Sequence, residues 1–338
     1  MKAVAYLQPG ELARADALLD VELPIPEPGP DDLRVRIAAV SVNPVDTKVR
    51  RSRAPAEGRP EVLGWDAVGI IDAVGADVRG HAVGDRVFYA GALDRPGSNA
   101  QYHLVDARIV GRAPASLSDA EAAALPLTAI TAWELLFDRL GVAKDGGEGQ
   151  SLLVIGGAGG VGSILIQLAR RLTRLTVIAT ASRPETQAWC RELGAHHVID
   201  HAAAFAPQLA AIGLAQVSMV ASLTQTDRHW AAIVEAAMPQ GRIALIDDPA
   251  QPLDVMPLKR KSLSLHWELM FTRSLFRTPD MAAQGALLDE VAALVDAGVL
   301  RTTVTQTLRP ISAGTVRQAH ALIESGQARG KITIAGWE

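Results

Sequence analysis

The pattern of apolar and polar positions divides the chain into two parts with different periods. Up to about residue 125 the apolar runs are short and of strand type, and clusters of proline, glycine and aspartate separate them. The runs that we expect to be strands include Leu33–Ala39, Val68–Val74 and Arg86–Tyr89. This pattern predicts a compact β domain that is rich in turns.

From Leu127 onwards, strands alternate with amphipathic helices, as in a parallel α/β sheet. A helix predicted over Thr128–Leu140 ends at Gly141. The strands predicted after it are Leu152–Ile155, Thr176–Thr180, His197–Asp200, Val217–Ala221 and Ile243–Asp247. The segments predicted beyond Pro249 are a strand at Ser262–Trp267, a helix over Asp280–Ala297, a helix that ends near Gly326 and a strand at Lys331–Ala335.

This last part of the chain is too short to form a third domain. We therefore expect residues 256–338 to return and complete a first domain of residues 1–126. Residues 127–255 then form the second domain, which carries the parallel sheet.

A glycine turn between the first strand of the α/β part and its helix carries the candidate chemistry. Gly157, Gly159 and Gly162 fit the spacing G-x-G-x-x-G, with Gly160 and Val161 between the last two. The first glycine permits a tight turn, the second lets backbone approach a pyrophosphate, and the third lets the helix pack on the strand. The alternative is a glycine-rich turn without a ligand. The strand before it, and the helix and strand after it, favour dinucleotide binding.

Composition and charge narrow the class of protein. The chain has 338 residues, of which 49% are hydrophobic, and a net charge of −4. It can therefore form two cores, and it has no excess of positive charge that would favour nucleic acid. We expect no nucleic-acid partner and no membrane segment, and the absence of a signal-peptide pattern predicts a cytoplasmic protein. The single cysteine, Cys190, excludes an intramolecular disulfide and a thiolate-cluster zinc site.

Two sequence blocks add a family resemblance to this picture. The segment Gly64–Val87 resembles the long barrel motif of the medium-chain dehydrogenases/reductases, and Ser41–Asp46 precedes it as in that family. With the glycine turn, the resemblance covers essentially the whole chain. It is nearest to the quinone oxidoreductase (zeta-crystallin-like) branch, and within it to the zinc-type alcohol dehydrogenase-like proteins. The resemblance implies an α/β protein with a GroES-like β-barrel domain and a Rossmann doubly wound parallel sheet.

The resemblance also implies an assembly. Relatives in this branch commonly pair through the edge of the Rossmann sheet, which corresponds here to the region of Ile243–Asp247 and the segment after Pro249. We therefore expect a homodimer.

The residues at the positions of the catalytic zinc ligands differ from those of the zinc-dependent alcohol dehydrogenases. Those enzymes have a cysteine before the barrel motif and Gly-His-Glu at its start. This chain has Asn43 at the first position and Gly64-Trp65-Asp66 at the second. An indole cannot bind zinc and no cysteine replaces the thiolate, so we expect no metal.

The residues after the second strand of the α/β part indicate which nicotinamide cofactor is bound. Ala181 stands where NAD-preferring domains carry an acid, and a small residue leaves room for a 2′-phosphate. Arg183 can pair with that phosphate and Ser182 can add a hydrogen bond, although the same residues also suit a helix start. The resemblance places His201 near the adenosine phosphate, with a surface histidine as the alternative. We expect NADP(H), and the predicted cofactor site comprises Gly157, Gly159, Gly160, Val161, Gly162, Ser182, Arg183, His201, Ile246 and Asp247.

Without zinc, reduction of a double bond conjugated to a carbonyl asks less of the protein than carbonyl–alcohol chemistry. The resemblance places the Asn43–Lys48 loop beside the nicotinamide. Asn43 is then a candidate hydrogen-bond donor to substrate, and Lys48 a candidate oxyanion stabiliser or proton donor, where quinone oxidoreductases often carry tyrosine. Asp46 would hold Lys48 or bridge to the cofactor ribose, with a turn residue as the alternative.

Two further features complete the predicted site. The family counterpart of Thr128 lies near the nicotinamide, and a helix N-cap is the equal alternative. The candidate walls of an apolar substrate pocket, each of which could also be core, are Trp65, Trp267, Met270 and Phe271.

The sequence therefore favours an NADPH-dependent reductase of small apolar quinones or α,β-unsaturated carbonyl compounds that works without metal. Two alternatives stay open. One is a metal-free carbonyl or alcohol oxidoreductase, and the other is a non-catalytic protein that binds NADPH.

Overall fold

The computed structural model describes all 338 residues and divides into two compact units. Unit 1 contains Met1–Ile130 and Phe271–Glu338, and unit 2 contains Thr131–Met270. The tail thus returns to unit 1 from Phe271, later than the expected start at residue 256. The reason is that the strand Ser264–Trp267 pairs with the sheet of unit 2 and holds the preceding residues there.

The part of unit 1 that precedes unit 2 is rich in strands. Its elements are β1 (Lys2–Tyr6), β2 (Leu19–Glu22), β3 (Asp32–Val42), α1 (Pro44–Ser52), β4 (Glu61–Val62), β5 (Asp66–Val74), β6 (Arg86–Tyr89), β7 (Tyr102–Asp106), β8 (Val110–Arg112) and α2 (Asp119–Ala123). The predicted strands at Leu33–Ala39, Val68–Val74 and Arg86–Tyr89 lie within β3, β5 and β6.

The helix predicted over Thr128–Leu140 has a different form from the expected one. It begins at Pro126 as α3 (Pro126–Trp133) and continues as a π-helical segment over Glu134–Arg139. The helix therefore covers the predicted range and ends before Gly141 as expected, but its second half is π-helical. The N-cap alternative for Thr128 was wrong, because this residue lies inside α3. The stretch Asp119–Arg139 is long and apolar enough to cross a membrane, but 89% of its most apolar 18-residue window is buried, as in the core helix of a folded domain.

Unit 2 alternates strands and helices. Its elements are β9 (Ser151–Ile155), α4 (Gly160–Leu172), β10 (Thr176–Thr180), α5 (Pro184–Glu192), β11 (His197–Ile199), α6 (Phe205–Ala211), β12 (Val217–Ser222), α7 (Thr226–Ala236), β13 (Ala237–Leu245), α8 (Met256–Lys261) and β14 (Ser264–Trp267). The tail adds α9 (Thr272–Phe276), α10 (Ala283–Asp296), β15 (Val304–Leu308), α11 (Ala313–Glu324) and β16 (Lys331–Ala335) to unit 1.

The sheet of unit 2 is parallel throughout, in the order β11-β10-β9-β12-β13-β14. This order reverses between β9 and β12, so the carboxyl ends of these two strands form the crevice where doubly wound sheets bind ligands. All five residues of β9 are buried, which explains why the four residues after Ser151 are all apolar rather than alternating.

The main sheet of unit 1 has the order β15-β16-β3-β5-β6-β8, with β7 also paired to β3. Strand β3 makes this possible because its length allows β7 to pair with its first half and β16 with its second half. The returning tail therefore supplies β16 directly beside Asn43, the N-cap of α1. The segment expected to be an Asn43–Lys48 loop is the start of this helix. A smaller sheet, β2-β1-β4, completes the unit.

Candidate functional site

The glycine turn of unit 2 lies between the end of β9 and the start of α4, with Gly159 as the N-cap. A Cβ on Gly162 would lie 2.5 Å from the carbonyl oxygen of Gly156, and one on Gly157 would lie 2.8 Å from Cβ of Ala179. A Cβ on Gly159 would meet only the Gly156 oxygen, at 3.5 Å. Packing within the protein thus explains two of the glycines. Gly159, the second glycine of the motif, instead leaves room for a ligand at the helix N-terminus.

Thr180 joins the glycine turn to His201. Its hydroxyl accepts a hydrogen bond from the Gly156 N–H at 3.1 Å and lies 3.2 Å from Nδ1 of His201. Burial lowers the pKa of His201, with a further lowering by the Arg228 charge and an opposing effect of Asp200. The structure therefore brings the His201 imidazole to the same carboxyl edge of the sheet as the glycine turn.

Ala181, Ser182 and Arg183 follow β10 at the same edge. Ala181 is buried, whereas Ser182 is exposed. Arg183, the N-cap of α5, has a side chain that is 40% exposed and pairs with Glu185 at 3.1 Å. The guanidinium is held near the surface in a position to bind an anion, although Glu185 competes for it.

Ile246 and Asp247 follow β13. The Asp247 carboxylate accepts hydrogen bonds from both the N–H and the hydroxyl of Thr226, at the first residue of α7. The hydroxyl of Thr226 also lies 2.8 Å from that of Ser222. The Asp247 side chain is therefore a cap for α7, which is a structural role that its position at a strand end did not reveal.

A buried polar cluster in unit 1 surrounds the ammonium group of Lys331. Lys331 Nζ donates to the Asp66 carboxylate at 3.0 Å, to the Val42 carbonyl at 3.1 Å and to the side-chain oxygen of Asn43. The Asn43 amide in turn donates to Asp66 at 2.8 Å, and the other Asp66 oxygen accepts from the Leu127 N–H at 2.7 Å. At most 3% of each of the three side chains in this cluster is exposed.

This arrangement corrects the roles expected for Asn43 and Asp46. Both polar atoms of the Asn43 amide bind within the cluster and the residue is 1% exposed, so it is not placed as a donor to substrate. Asp46 accepts the Asn43 N–H at 2.7 Å and caps α1, whereas Lys48 is exposed on that helix. Burial raises the pKa of Asp46 to about 7, against the opposing hydrogen bond from the Asn43 N–H and the charge of Lys331.

The remaining expected site residues of unit 1 are buried. The Thr128 hydroxyl donates at 3.1 Å to the carbonyl of Leu125, the residue just before α3. Trp65 and Phe271 meet edge to face, with ring centroids 6.1 Å apart, and the Trp65 N–H donates to Ala92. These two rings therefore pack on each other as an apolar wall.

The expected pocket residues of unit 2 differ in their exposure. Met270 is 3% exposed, but Trp267 is 54% exposed at the end of β14, the edge strand of the parallel sheet. An exposed residue on a sheet edge does not enclose a ligand within its own unit. The role of Trp267 as a pocket wall is therefore not supported by this position.

Sequence reasoning missed a second buried charged cluster, in unit 2. Arg139 Nε donates to Glu268 at 2.9 Å, and its Nη2 lies 3.7 Å from Glu134, whose side chain is fully buried. Burial, the Glu134 charge and its hydrogen bond raise the pKa of Glu268 to about 9, and Arg139 opposes this. The two carboxyl groups of Glu134 and Glu268 therefore share a proton at neutral pH. Nothing in the sequence brings these positions together.

Comparison with known proteins agrees with this architecture. Residues 29–115 match the alcohol dehydrogenase GroES-like domain family, and residues 193–334 match the zinc-binding dehydrogenase family. A zinc-type alcohol dehydrogenase-like protein of Staphylococcus aureus strain COL is 40% identical over 99% of both chains.

Solved structures extend this likeness to the whole fold. A protein of Rhizobium etli CFN 42, provisionally described as a zinc-dependent alcohol dehydrogenase, has 56% identity, a TM-score of 0.95 and coverage of 100% of this chain and 98% of its own. The mycobacterial protein Rv1454c, solved with NADPH, has 27% identity, a TM-score of 0.83 and 99% coverage of both chains. Quinone oxidoreductases are also among the structural neighbours.

Proposed function

Because the chain belongs to the zinc-type alcohol dehydrogenase-like proteins of the medium-chain dehydrogenase/reductase superfamily, we propose that it is an NADPH-dependent reductase of quinones or α,β-unsaturated carbonyl compounds that works without metal. The family makes it an oxidoreductase, and the mycobacterial relative solved with NADPH supports a nicotinamide cofactor. The choice of phosphate-bearing cofactor, substrate class and metal-free chemistry rests on particular residues of this chain.

The Lys331 ammonium in the barrel cluster is the observation that carries this proposal. A zinc ion, which the family description implies, needs nitrogen, sulfur or carboxylate donors directed at one point. Here Trp65 offers no lone pair, Asn43 and Asp66 already bind Lys331, and a cation held at 3.0 Å from Asp66 would repel a metal. No three histidine, cysteine or acidic side chains converge elsewhere. The residues present do not fit zinc.

The dinucleotide does fit unit 2. The α4 N-terminus and the space beside Gly159 would hold the pyrophosphate, and Arg183 with Ser182 would hold the 2′-phosphate. Position 181 carries alanine rather than an acid. No carboxylate is therefore present there to bind the ribose hydroxyls of NAD or to repel the 2′-phosphate. The NADPH-bound structure of a relative with 27% identity supports the same choice.

Bound NADPH would supply a hydride, and the residues of the chain would orient the acceptor and stabilise the oxygen on which charge develops. Carbonyl reduction needs a strong electrophile at that oxygen, whereas conjugate reduction spreads the charge over an enolate. Lys48, exposed on α1, is the side chain that we propose as the oxyanion stabiliser, because Asn43 and Asp46 are committed to the cluster and the helix cap.

A panel of NADPH-oxidation assays tests the proposal. We expect turnover with enones, enals or quinones, and little with simple aldehydes of the same size. Selective turnover of aldehydes would indicate a metal-free carbonyl oxidoreductase instead. Tight NADPH binding with no turnover across the panel would indicate a non-catalytic protein.

We also propose that the protein is a homodimer that pairs through the outer edge of β14. Strand β14 has no partner on its outer side, and its last residue, Trp267, and the nearby Leu269 are 54% and 49% exposed. The region Ile243–Asp247, expected at this edge, instead belongs to the end of β13, which pairs with both β12 and β14. Exposed apolar side chains on an open edge strand favour pairing with a second copy. Light scattering should give twice the mass of 35.7 kDa, and a monomer mass at micromolar concentrations would contradict the proposal.

A further inference from the structure

Unit 1 contains a cavity that has no part in the site described above. It has a volume of about 560 Å³, within the range that ligand pockets usually have. It lies where β7 and β16 meet β3, under the start of α2. Residues lining it include Arg36, Tyr102, Arg309 and Trp337, and we call it the Arg36–Arg309 cavity.

Two arginines give this cavity its charge. Arg36 points outward from β3 and Arg309 precedes β16 in the chain, and both are exposed. Neither guanidinium makes a hydrogen bond or ion pair with the protein. The acid in the lining, Asp119, is already paired with Arg86 at 2.8 Å. Two positive charges therefore face one cavity without a neutralising group.

Small residues form the floor and two aromatic rings form walls. Ala38, Ala335 and Gly336 leave the space open, and Arg309 Nη1 would lie 3.9 Å from a Cβ on Gly336. The Trp337 N–H donates a hydrogen bond to the Ile37 carbonyl at 3.2 Å, so the indole ring offers the cavity only an apolar face. Tyr102 offers a second ring.

We propose that the Arg36–Arg309 cavity binds a small organic anion in which a planar aromatic ring carries a carboxylate or phosphate group. Guanidinium groups pair with such acids through charge-assisted hydrogen bonds, and they and the aromatic walls favour a flat ring. Arg34, on the same face of β3, is by contrast an arginine that an acid neutralises. It lies 5.9 Å from the Tyr102 ring centroid but is neutralised by Asp72 at 2.8 Å. The inference does not depend on the proposed function.

Calorimetric titration with 2-naphthoate tests this proposal, with the protein first saturated with NADPH so that the nucleotide site is not available. The neutral 2-naphthol and the ringless acetate serve as matched probes. We expect binding of 2-naphthoate with one site per chain, and binding at least tenfold weaker for each of the other two.

Three variants assign the binding to the cavity. Arg36→Ala with Arg309→Ala should weaken 2-naphthoate binding roughly 10- to 100-fold, because two charge-assisted contacts are lost. Ala38→Phe should block the cavity while keeping both charges, and Arg59→Ala, an exposed arginine outside the lining, should change nothing. Circular dichroism and NADPH affinity confirm that each variant is folded.

Each outcome of these titrations either supports or overturns the proposal. Loss of 2-naphthoate binding in both cavity variants, with retention in Arg59→Ala, supports the proposal. No binding to the wild type at millimolar concentration, or equal binding in all variants, overturns it. Equal affinity for 2-naphthol would also overturn it, because the arginines would then play no part.

Discussion

The buried cluster around Lys331 in unit 1 and the carboxyl edge of the sheet in unit 2 use polar groups in opposite ways. In unit 1, Lys331, Asn43 and Asp66 satisfy one another, and at most 3% of each side chain is exposed. In unit 2, the turn at Gly159 and the exposed Ser182 leave groups at the surface that a ligand can use. The polar residues of the Lys331 cluster thus hold the fold together, whereas our proposal assigns cofactor recognition to the groups that unit 2 leaves at its surface.

Removing the central cation should have the largest effect. Lys331→Met leaves Asp66 buried without its counter-charge, so we expect the free energy of unfolding to fall by about 3–5 kcal/mol. Urea denaturation measures this, and Lys259→Met, at an exposed lysine, is the control. Adding Asp66→Asn should recover part of the loss. A variant as stable as the control would show that the cluster is not held by charge.

The glycines of the turn should separate stability from binding. Gly162→Ala places a Cβ 2.5 Å from backbone, so we expect a loss of about 1–3 kcal/mol in unfolding free energy. Gly159→Ala meets nothing closer than 3.5 Å and should leave stability nearly unchanged, yet weaken NADPH in a fluorescence titration. Unchanged NADPH affinity in Gly159→Ala would argue against the turn as the pyrophosphate site.

Substitution of Arg183 tests which nicotinamide cofactor the protein prefers. Arg183→Ala should weaken NADPH binding roughly 10- to 100-fold and leave NADH nearly unchanged, because only NADPH carries the 2′-phosphate. The effect should lie near the lower end because Glu185 already competes for the guanidinium. Titrations of both nucleotides check this. Equal weakening of the two would place the role of Arg183 in the fold or at the shared pyrophosphate.

The smallest effect concerns the pH dependence of the second buried cluster. The raised pKa of Glu268, about 9, means that the folded protein keeps a proton that the unfolded chain releases near pH 4.5. Stability therefore falls as the pH rises through this window. Glu268→Gln should remove this loss, so that between pH 7 and pH 8 the wild type loses up to about 1.4 kcal/mol more than the variant. Parallel slopes would show that Glu268 is ionised throughout. Glu148→Gln, at an exposed acid, is the control.

Local patterns predicted the fold well because each depends on neighbouring residues. The order of strands and helices followed from periodicity, and the return of the tail from its short length. The family followed from the resemblance of Ser41–Asp46, Gly64–Val87 and the glycine turn to known motifs, and it is confirmed. The π-helical segment Glu134–Arg139 could not be predicted, because its apolar spacing resembles that of an ordinary helix.

The partners of the site residues could not be predicted, because they come from distant parts of the chain. Asn43 and Lys331 are 288 positions apart, and only the pairing of β16 with β3 brings them together. A signal was present, since Lys331 is a charged residue at the start of a strand that is otherwise apolar or small and fully buried. Asp247 and Thr128 were likewise predicted as site residues, but their hydrogen bonds are made to Thr226 and Leu125 within the protein.

We propose that hydride transfer proceeds without metal, because Asn43 and Asp66 bind the Lys331 ammonium and Trp65 offers no lone pair to a metal. The direct measurement is NADPH oxidation by an accepted enone or quinone before and after exhaustive chelation, with zinc content determined on the same samples. We expect far less than one zinc per chain and unchanged kcat and KM. About one tightly bound zinc per chain, or activity that chelation removes and zinc restores, would contradict the account.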